Sequence, residues 1–276
     1  MSELEEKQGK LESSLRRADS LLVAYSGGVD SAYLAYAAHR VLGSRMLAVT
    51  ALSPSYAQLD REEAEQIVAR FGIPHEFVRT DEVEHPAYRA NNPDRCFFCK
   101  DELFHRLDEI AADRHFAAVA YGMNVEDQGD WRPGQEAARR HRVLAPLLEA
   151  GLRKEEIREL ARHADIPAWD RPASACLASR IAYGIEVTPE RLETVEQGEA
   201  ALRRLGFRQF RVRHHDELVR IEIAPEELQL ALDPEMAKQF LEIFKSLGFR
   251  FVTLDLEGYR QGSLNLVHLA TASAKK

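Results

Sequence analysis

The chain has 276 residues, of which 45% are hydrophobic and 30% are charged, and its formal net charge at pH 7 is −8. This is the composition of a globular protein of one or two domains, and it excludes a disordered chain, a collagen-like fibre and a low-complexity sequence. Because nucleic-acid binding depends on basic surface, the acidic balance also weighs against a nucleic-acid partner.

No stretch reaches the roughly 18 uncharged apolar residues that a membrane span needs, so no membrane association is expected. Residues 3–18 follow a charged helical pattern, and no apolar region of a secretory signal is visible. We therefore expect a cytoplasmic protein. In that reducing compartment, three cysteines argue against a disulfide framework, so they are expected to be buried, reactive or metal-bound.

Predicted strands and helices alternate along the first part of the chain. The apolar run at 21–25 is typical of a strand buried on both faces. After it, strands are predicted at 46–52, 75–79, 117–121 and 143–146, and helices at 60–71, 101–114 and 152–164, together with one that ends at Gly43. Residues 81–100, rich in proline and asparagine, are predicted to form an irregular loop.

This alternation indicates βαβ units and an α/β fold with an open doubly wound parallel sheet. After an irregular segment at 166–187 the pattern becomes α+β, with helices at 188–205 and 234–247 and strands near 208–213, 218–223 and 249–255. We therefore predict two domains. The first spans residues 1–186, and the second, spanning 187–276, is a smaller C-terminal α+β domain for substrate binding or oligomerisation.

The segment SGGVDS follows the first buried strand and precedes a helix, where N–H groups and the helix dipole favour an anion. Gly27 and Gly28 permit close approach of a ligand to the backbone, and Ser26 and Ser31 can add hydroxyl donors. Asp30 beside an anion needs a cation, which Mg²⁺ on a pyrophosphate would supply. The loop lacks the lysine of a Walker motif, and a simple strand–helix turn remains an alternative.

The three cysteines form a possible ligand set. Cys96 and Cys99 make a C-x-x-C pair in the predicted loop, and Cys176 lies in a second irregular segment, PASACLASR. A structural zinc site needs four ligands, and no second C-x-x-C or H-x₃₋₅-H is present in the sequence. Three thiolates and one open position suit a [4Fe–4S] cluster, but spacing alone does not choose the metal, and buried thiols stay possible.

The SGGVDS segment, in its strand–helix context, resembles the PP-loop of the ATP-pyrophosphatases, whose fold is of the adenine nucleotide alpha hydrolase type. The resemblance implies cleavage of ATP between its α- and β-phosphates and adenylation of an oxygen of the substrate. It further implies that residues 51–53, including Ala51 and Ser53, and residues 122–124, including Gly122 and Asn124, flank the adenosine.

Longer motifs narrow the resemblance. PASACLASRIAYGIEVTPERL, YGMNVEDQGDWRPGQEAA, APLLEAGLRKEEIRELA and RVRHHDELVRIEI are similar to those of the LarE family of ATP-dependent sulfur transferases, which act in nickel-pincer nucleotide synthesis. In that family a carboxylate of a pyridinium-3,5-biscarboxylic acid mononucleotide is adenylated and becomes a thiocarboxylate. The resemblance implies a small-molecule nucleotide substrate, and a sulfide or persulfide donor, a nickel-inserting enzyme downstream and a homo-oligomer are expected.

Members of this family obtain sulfur in two ways. Some sacrifice the sulfur of the cysteine that matches Cys176, and others also carry the C-x-x-C and hold a [4Fe–4S] cluster. Because this chain has Cys96, Cys99 and Cys176, the resemblance implies the cluster type. Sacrifice of Cys176 and a structural zinc are the alternatives.

Several polar residues are candidates for the substrate. Arg211 and Arg213 alternate along a predicted strand, so they share a face that suits a phosphate. Arg180, four residues after Cys176, is a candidate for a carboxylate or phosphate. Asp127 and Arg132 are expected near the ATP, although a surface turn would also explain them.

Three other functions remain open from the sequence. A tRNA thiolase shares the PP-loop but is disfavoured by the acidic balance. An ammonia-using synthetase leaves the cysteines unexplained, and a non-catalytic nucleotide sensor leaves both the cysteines and the intact SGGVDS segment unexplained.

Overall fold

The structure is a computed structural model that describes residues 2–129, 133–172 and 175–260. Its helices are α1 (Glu3–Arg17), α2 (Val29–Leu42), α3 (Gln58–Phe71), α4 (Pro86–Arg89), α5 (Arg95–Arg114), α6 (Pro133–Arg140), α7 (Pro146–Glu149), α8 (Lys154–His163), α9 (Pro189–Arg204), α10 (Leu228–Ala231) and α11 (Pro234–Ser246). Its strands are β1 (Leu21–Ala24), β2 (Met46–Leu52), β3 (His75–Arg79), β4 (Ala118–Tyr121), β5 (Phe210–His215), β6 (Leu218–Ile223) and β7 (Phe251–Leu254).

The described residues fall into two compact units. The first contains the residues up to His85 and Asp94–Ala175, and the second contains Pro86–Pro93 and the residues from Cys176 onward. Within both units, no described helix combines the length and the apolar character that a membrane span requires.

The first unit is built on a parallel sheet with the strand order β3-β2-β1-β4. Alternate residues of β1 enter two different cores. Leu21 and Val23 pack in the core that contains residues of α1, α2 and α8, and Leu22 and Ala24 pack in the core that contains residues of α5 and α6. Both faces of the sheet are therefore covered, and the predicted α/β fold with a parallel sheet is confirmed.

Two predicted segments of this unit differ from the structure. The strand predicted at 143–146 is reduced to one bridge between Leu144 and Ala120, because Pro146 lacks an N–H for the ladder and begins α7 instead. The loop predicted at 81–100 is wrong for its second half. Helix α5 begins at Arg95, immediately after the proline-containing turn, and its side chains Leu103, Phe104 and Leu107 are buried.

The second unit contains a three-stranded sheet with the order β5-β6-β7, in which β5 is antiparallel and β7 is parallel to β6. Its core joins Leu202 of α9 and Phe244 of α11 to apolar residues of the strands, including Val212 and Ile221. A separate small α+β unit is therefore present, as the change of pattern predicts.

The first residue of this unit after the division is Cys176, whereas the sequence places the boundary at 186/187. A short distant segment also belongs here, because the side-chain amide of Asn91 donates to the carbonyls of Ile181 (3.2 Å), Ala182 (2.9 Å) and Ile185 (2.9 Å). Asn91 is fully buried, so these bonds tie residues 86–93 firmly to the 181–185 segment.

Candidate functional site

The glycine-rich loop connects β1 to α2 and is held in shape by its own serines. The hydroxyl of Ser31 accepts from the backbone N–H of Ser26 (3.1 Å) and donates to the carbonyl of Gly28 (3.0 Å). Gly28 is the N-cap of α2 and supplies no side-chain cap, so N–H groups of the first turn keep their capacity to bind an anion. Gly27 has φ +75°, and a Cβ there would lie 2.8 Å from that of Ala64.

The loop after β4 lies against this helix start. A Cβ on Gly122 would lie 2.8 Å from the backbone nitrogen of Ser31 and 3.0 Å from the carbonyl carbon of Asp30. Nearby, the N–H of Asn124 donates to the Asp127 carboxylate (3.1 Å), and the buried side-chain oxygen of Asn124 accepts from the N–H of Glu126 (3.0 Å). The structure therefore brings these two segments together, as the resemblance implies for Gly122 and Asn124.

Asp30 forms an ion pair with Lys154, the first residue of α8. Its other carboxylate oxygen, Oδ1, is buried and has no hydrogen-bond partner among the described residues. The sequence analysis missed Lys154. A signal was present, since a lysine in the first turn of a helix is disfavoured by the helix dipole and calls for a partner.

A second polar cluster lies beyond the ends of β2 and β3. The Glu82 Oε1 atom accepts from the hydroxyls of Ser53 (2.5 Å) and Ser55 (2.9 Å). The hydroxyl of Tyr56 lies 3.2 Å from the carbonyl of Ser26, to which it donates, so this segment also contacts the glycine-rich loop. Ala51 and Ser53 lie at this edge as predicted, whereas Glu82 was missed because nothing in its local sequence distinguishes it.

Tyr56 keeps its proton under all ordinary conditions, since burial and then the charge of Asp60 raise the pKa of its phenol well above the usual value of 10. It therefore remains a donor beside the glycine-rich loop.

Cys96 and Cys99 occupy the first turns of α5, where residues three apart lie on the same side of a helix. Cys96 is exposed and Cys99 is partly exposed, so both thiols can reach one ligand. Cys176 lies in the other unit, immediately before the 3-10 turn Leu177–Arg180. None of the three is in a disulfide, and within the part of the chain that the structure describes no three metal-binding side chains are already gathered around one point.

The turn after Cys176 is organised by Arg180, whose side chain is only 4% exposed. Its guanidinium donates to both carboxylate oxygens of Glu199 (2.9 and 3.2 Å) and to the carbonyl of Cys176 (3.0 Å). Arg180 thereby fixes the backbone that carries the thiol. Glu199 in turn accepts from the N–H of Val212 on β5 (3.3 Å).

Arg211 and Arg213 both lie on β5, but they have different surroundings. Arg213 is buried, pairs with the fully buried Glu222 (2.9 Å) and donates to the carbonyl of Ser179 (3.0 Å). The guanidinium of Arg211 lies over the ring of Tyr259, 5.0 Å from its centroid. Burial and then the positive charge of Arg180 lower the pKa of Arg211, which marks a local excess of positive charge. Such a place suits an anionic group.

Asp127 is partly exposed and, besides the bond to Asn124, its carbonyl accepts from the side-chain amide of Gln135 (2.5 Å). The prediction for Arg132 falls outside the described residues. The roles predicted for Asp127, Arg180, Arg211 and Arg213 in substrate binding therefore stay predictions.

Comparison with known proteins decides the family. No family model matches the chain. It is 42% identical over 264 residues to an uncharacterised protein of Synechocystis sp., covering 96% of this chain and 98% of that one. It is also 33% identical over 268 residues to the pyridinium-3,5-bisthiocarboxylic acid mononucleotide synthase of Lactiplantibacillus plantarum, covering 96% of each chain. The chain belongs to the LarE family.

Membership of the LarE family confirms the resemblance that the sequence motifs indicate, and it extends over both units of the structure. A more distant similarity, 28% identity over 190 residues, links this LarE-family chain to a glutamine-hydrolysing GMP synthase of Archaeoglobus fulgidus. That match covers 64% of this chain and 61% of the relative. The relatives with named activities are thus enzymes.

Proposed function

We propose that this protein is an ATP-dependent sulfur transferase that converts a carboxylate of a pyridinium dicarboxylate mononucleotide into a thiocarboxylate, in the synthesis of a nickel-pincer nucleotide. The observation that carries the proposal is the glycine-rich loop at the start of α2, with the buried and unpartnered Oδ1 of Asp30 beside it. An anion site next to a carboxylate that lacks a partner is what a Mg²⁺–triphosphate requires.

The loop residues bind the phosphates of ATP in this proposal. N–H groups of the first turn of α2 and the hydroxyl of Ser26 donate to phosphate oxygens, and Ser31 keeps the loop in shape. Lys154, now paired with Asp30, is near enough to the loop to donate to a phosphate when Mg²⁺ takes over Asp30.

Magnesium fits the site because Asp30 offers a hard oxygen ligand without a partner. When bound, the ion would neutralise charge on the pyrophosphate that leaves.

Adenylation solves the chemical problem of this reaction, since a carboxylate resists attack by a nucleophile. An oxygen of the substrate carboxylate attacks the α-phosphorus of ATP, the bond to the β-phosphate breaks and pyrophosphate leaves. A sulfur nucleophile then attacks the acyl carbon, and the bond to the AMP oxygen breaks. Arg211 and Arg213, with Arg180, Asp127 and Arg132, are the proposed contacts of the substrate phosphate and carboxylates.

For the sulfur source we propose the three cysteines. Cys96 and Cys99 fit as two thiolate ligands on one side of α5, and with Cys176 they match the donor set of a [4Fe–4S] cluster with one open iron. When bound, that cluster would supply an iron-held sulfide. The alternative is that Cys176 itself gives up its sulfur.

The test is to incubate the protein, purified and reconstituted without oxygen, with ATP, Mg²⁺ and the pyridinium dicarboxylate mononucleotide. We expect AMP and pyrophosphate to appear only when the substrate is present, together with a thiocarboxylate product. Release of ADP and phosphate instead would overturn the mechanism. Mass spectrometry of the protein after turnover separates the sulfur sources, because sacrifice removes one sulfur from Cys176.

A further inference from the structure

Glu82 is a buried carboxylate without a cation. It is 3% exposed and forms no ion pair among the described residues. The two hydroxyls that it binds, those of Ser53 and Ser55, both donate to the same oxygen, Oε1. Its second oxygen, Oε2, is buried and has no hydrogen-bond partner in the described part of the chain. A buried carboxylate oxygen is costly to leave without a donor, so its retention calls for an explanation.

A second unsatisfied group lies two residues earlier. The hydroxyl of Thr80 is also buried and has no partner among the residues described. The backbone N–H of Thr80 donates to the carbonyl of Leu52 (3.3 Å), which fixes Thr80 beside the end of β2. Two orphan polar atoms therefore follow the same strand, β3, at one edge of the sheet.

The position of these atoms in the fold is informative. In open parallel sheets, ligands bind outside the carboxyl ends of the strands, and Glu82 lies past the end of β3 while its partner Ser53 lies past the end of β2. The same segment reaches the glycine-rich loop through Tyr56, whose hydroxyl donates to the carbonyl of Ser26. Glu82 is thus on the side of β1 opposite to β4, beside the site that takes the phosphates.

The charge of Glu82 then restricts what it can face. A carboxylate without a cation repels phosphate, so Oε2 is matched to a neutral N–H or O–H donor. The nucleoside part of ATP offers the adenine amine and the ribose hydroxyls, whereas its phosphates offer acceptors only.

We propose that Glu82 positions the nucleoside of ATP by accepting, through Oε2, a hydrogen bond from the adenine amine or from a ribose hydroxyl. This inference rests on the proposed ATP site at the glycine-rich loop. Ser53 and Ser55 hold the carboxylate in place, and Thr80 supplies a second polar contact at the same edge.

The test is calorimetric binding of α,β-methylene ATP, which cannot be cleaved at the α–β bond, and of three analogues that lack the 6-amino group, the 2′-hydroxyl or the 3′-hydroxyl. A hydrogen bond to a charged group carries about 1.5–3 kcal/mol, so we expect the wild type to bind one of the analogues roughly tenfold to hundredfold more weakly. The analogue that loses affinity identifies the donor.

The variant Glu82→Gln keeps the shape of the side chain and removes the charge, and we expect it to discriminate much less. Glu84→Gln is the matched control, since Glu84 is exposed in the same 3-10 turn. It should bind and discriminate like the wild type. Circular dichroism and the unfolding midpoint check that both variants fold.

The outcomes are distinguishable. If the wild type binds the parent nucleotide but no analogue binds more weakly, the role of Glu82 is wrong while the ATP site stands. If Glu82→Gln weakens all four nucleotides and inorganic tripolyphosphate equally, Glu82 acts only on the shape of the loop, and the proposal also fails. If the wild type binds no adenine nucleotide with Mg²⁺, both the site and this inference are overturned.

Discussion

Lys154 at the start of α8 forms an ion pair with Asp30 at the start of α2, although 124 residues separate them in the chain. The backbone N–H of Lys154 also donates to the carboxylate of Glu126 in the loop after β4 (2.9 Å). Three segments of the first unit therefore meet beside the glycine-rich loop. The pairing gives Lys154 a place in the proposed ATP site.

Replacing Lys154 with methionine should weaken use of ATP while hardly affecting the fold. The ion pair is partly exposed, so its loss should change the free energy of unfolding by no more than about 1 kcal/mol. Loss of a charge-assisted contact to a phosphate should lower kcat/KM for AMP formation about tenfold to hundredfold. Lys10→Met, which removes an exposed lysine–glutamate pair on α1, is the control and should change neither quantity much. Unaltered AMP formation in Lys154→Met would contradict the assignment.

Gly122→Ala should disturb the glycine-rich loop directly. The added Cβ would lie 2.8 Å from the backbone nitrogen of Ser31, and backbone of a packed helix start cannot move aside as a flexible side chain can. We expect a loss of about 1–3 kcal/mol in the free energy of unfolding, together with weaker nucleotide binding.

The control for this change is Gly9→Ala in the exposed part of α1, where an added Cβ meets nothing within 4 Å. Alanine there should stabilise the protein by about 0.5–1 kcal/mol because glycine is a poor helix former. Urea unfolding measures both variants. Equal effects at the two glycines would show that the close approach of Gly122 has no consequence.

The cysteines should act as a set. Cys96→Ser, Cys99→Ser and Cys176→Ser should each lower the iron content and the visible absorbance of protein reconstituted without oxygen, because each removes one of three thiolate ligands. Iron and sulfide analysis measures the effect. If protein with all three cysteines stays colourless and free of iron, the cluster proposal fails.

Arg180→Met should be strongly destabilising. Glu199, only 13% exposed, would lose its partner, and removing one member of a buried ion pair costs about 3–5 kcal/mol. Arg250→Met is the matched control, since the side chain of Arg250 is 70% exposed and its change should stay within about 0.5 kcal/mol. Chemical denaturation compares the two. A small loss in Arg180→Met, coupled with a raised KM for the mononucleotide, would instead favour the substrate-binding role.

His141 should make stability depend on pH. Burial lowers the pKa of its ring, but hydrogen bonds to Asp108 (2.6 Å) and Asp101 (3.2 Å) outweigh burial and raise the pKa above 6.5. The charged ring is thus favoured in the folded state. Its contribution to stability is complete below pH 6.5, the unfolded value, and is lost as the pH rises through the folded pKa.

The measurement is the difference in unfolding free energy between the wild type and His141→Gln over a series of pH values. We expect this difference to be largest below pH 6.5 and to shrink above it. His105→Gln, which changes an exposed histidine of α5, should give a difference that varies less with pH. A constant difference for His141→Gln would show that the two aspartates do not hold a charged ring.

Much of the fold could be predicted from local pattern. The buried strands at 46–52 and 75–79 have the bounds that hydrophobic runs indicate, and α2 ends at Gly43 as its C-cap signal requires. The start of α5 was missed because the turn containing Pro93 hid the helical spacing of the residues after it. Local propensity cannot reveal which buried side chains will hold such a turn against a core.

The sequence by itself determined the three-cysteine count, the SGGVDS loop between a strand and a helix, and the motifs that indicate the family. These are local patterns, and local backbone chemistry is enough to interpret them. Only the tertiary structure paired Asp30 with Lys154 and enclosed Glu82 against Ser53 and Ser55. Parallel strands bring their carboxyl ends to one edge of the sheet whatever the length of chain between them, so contacts there follow from the order of the strands and not from spacing in the sequence.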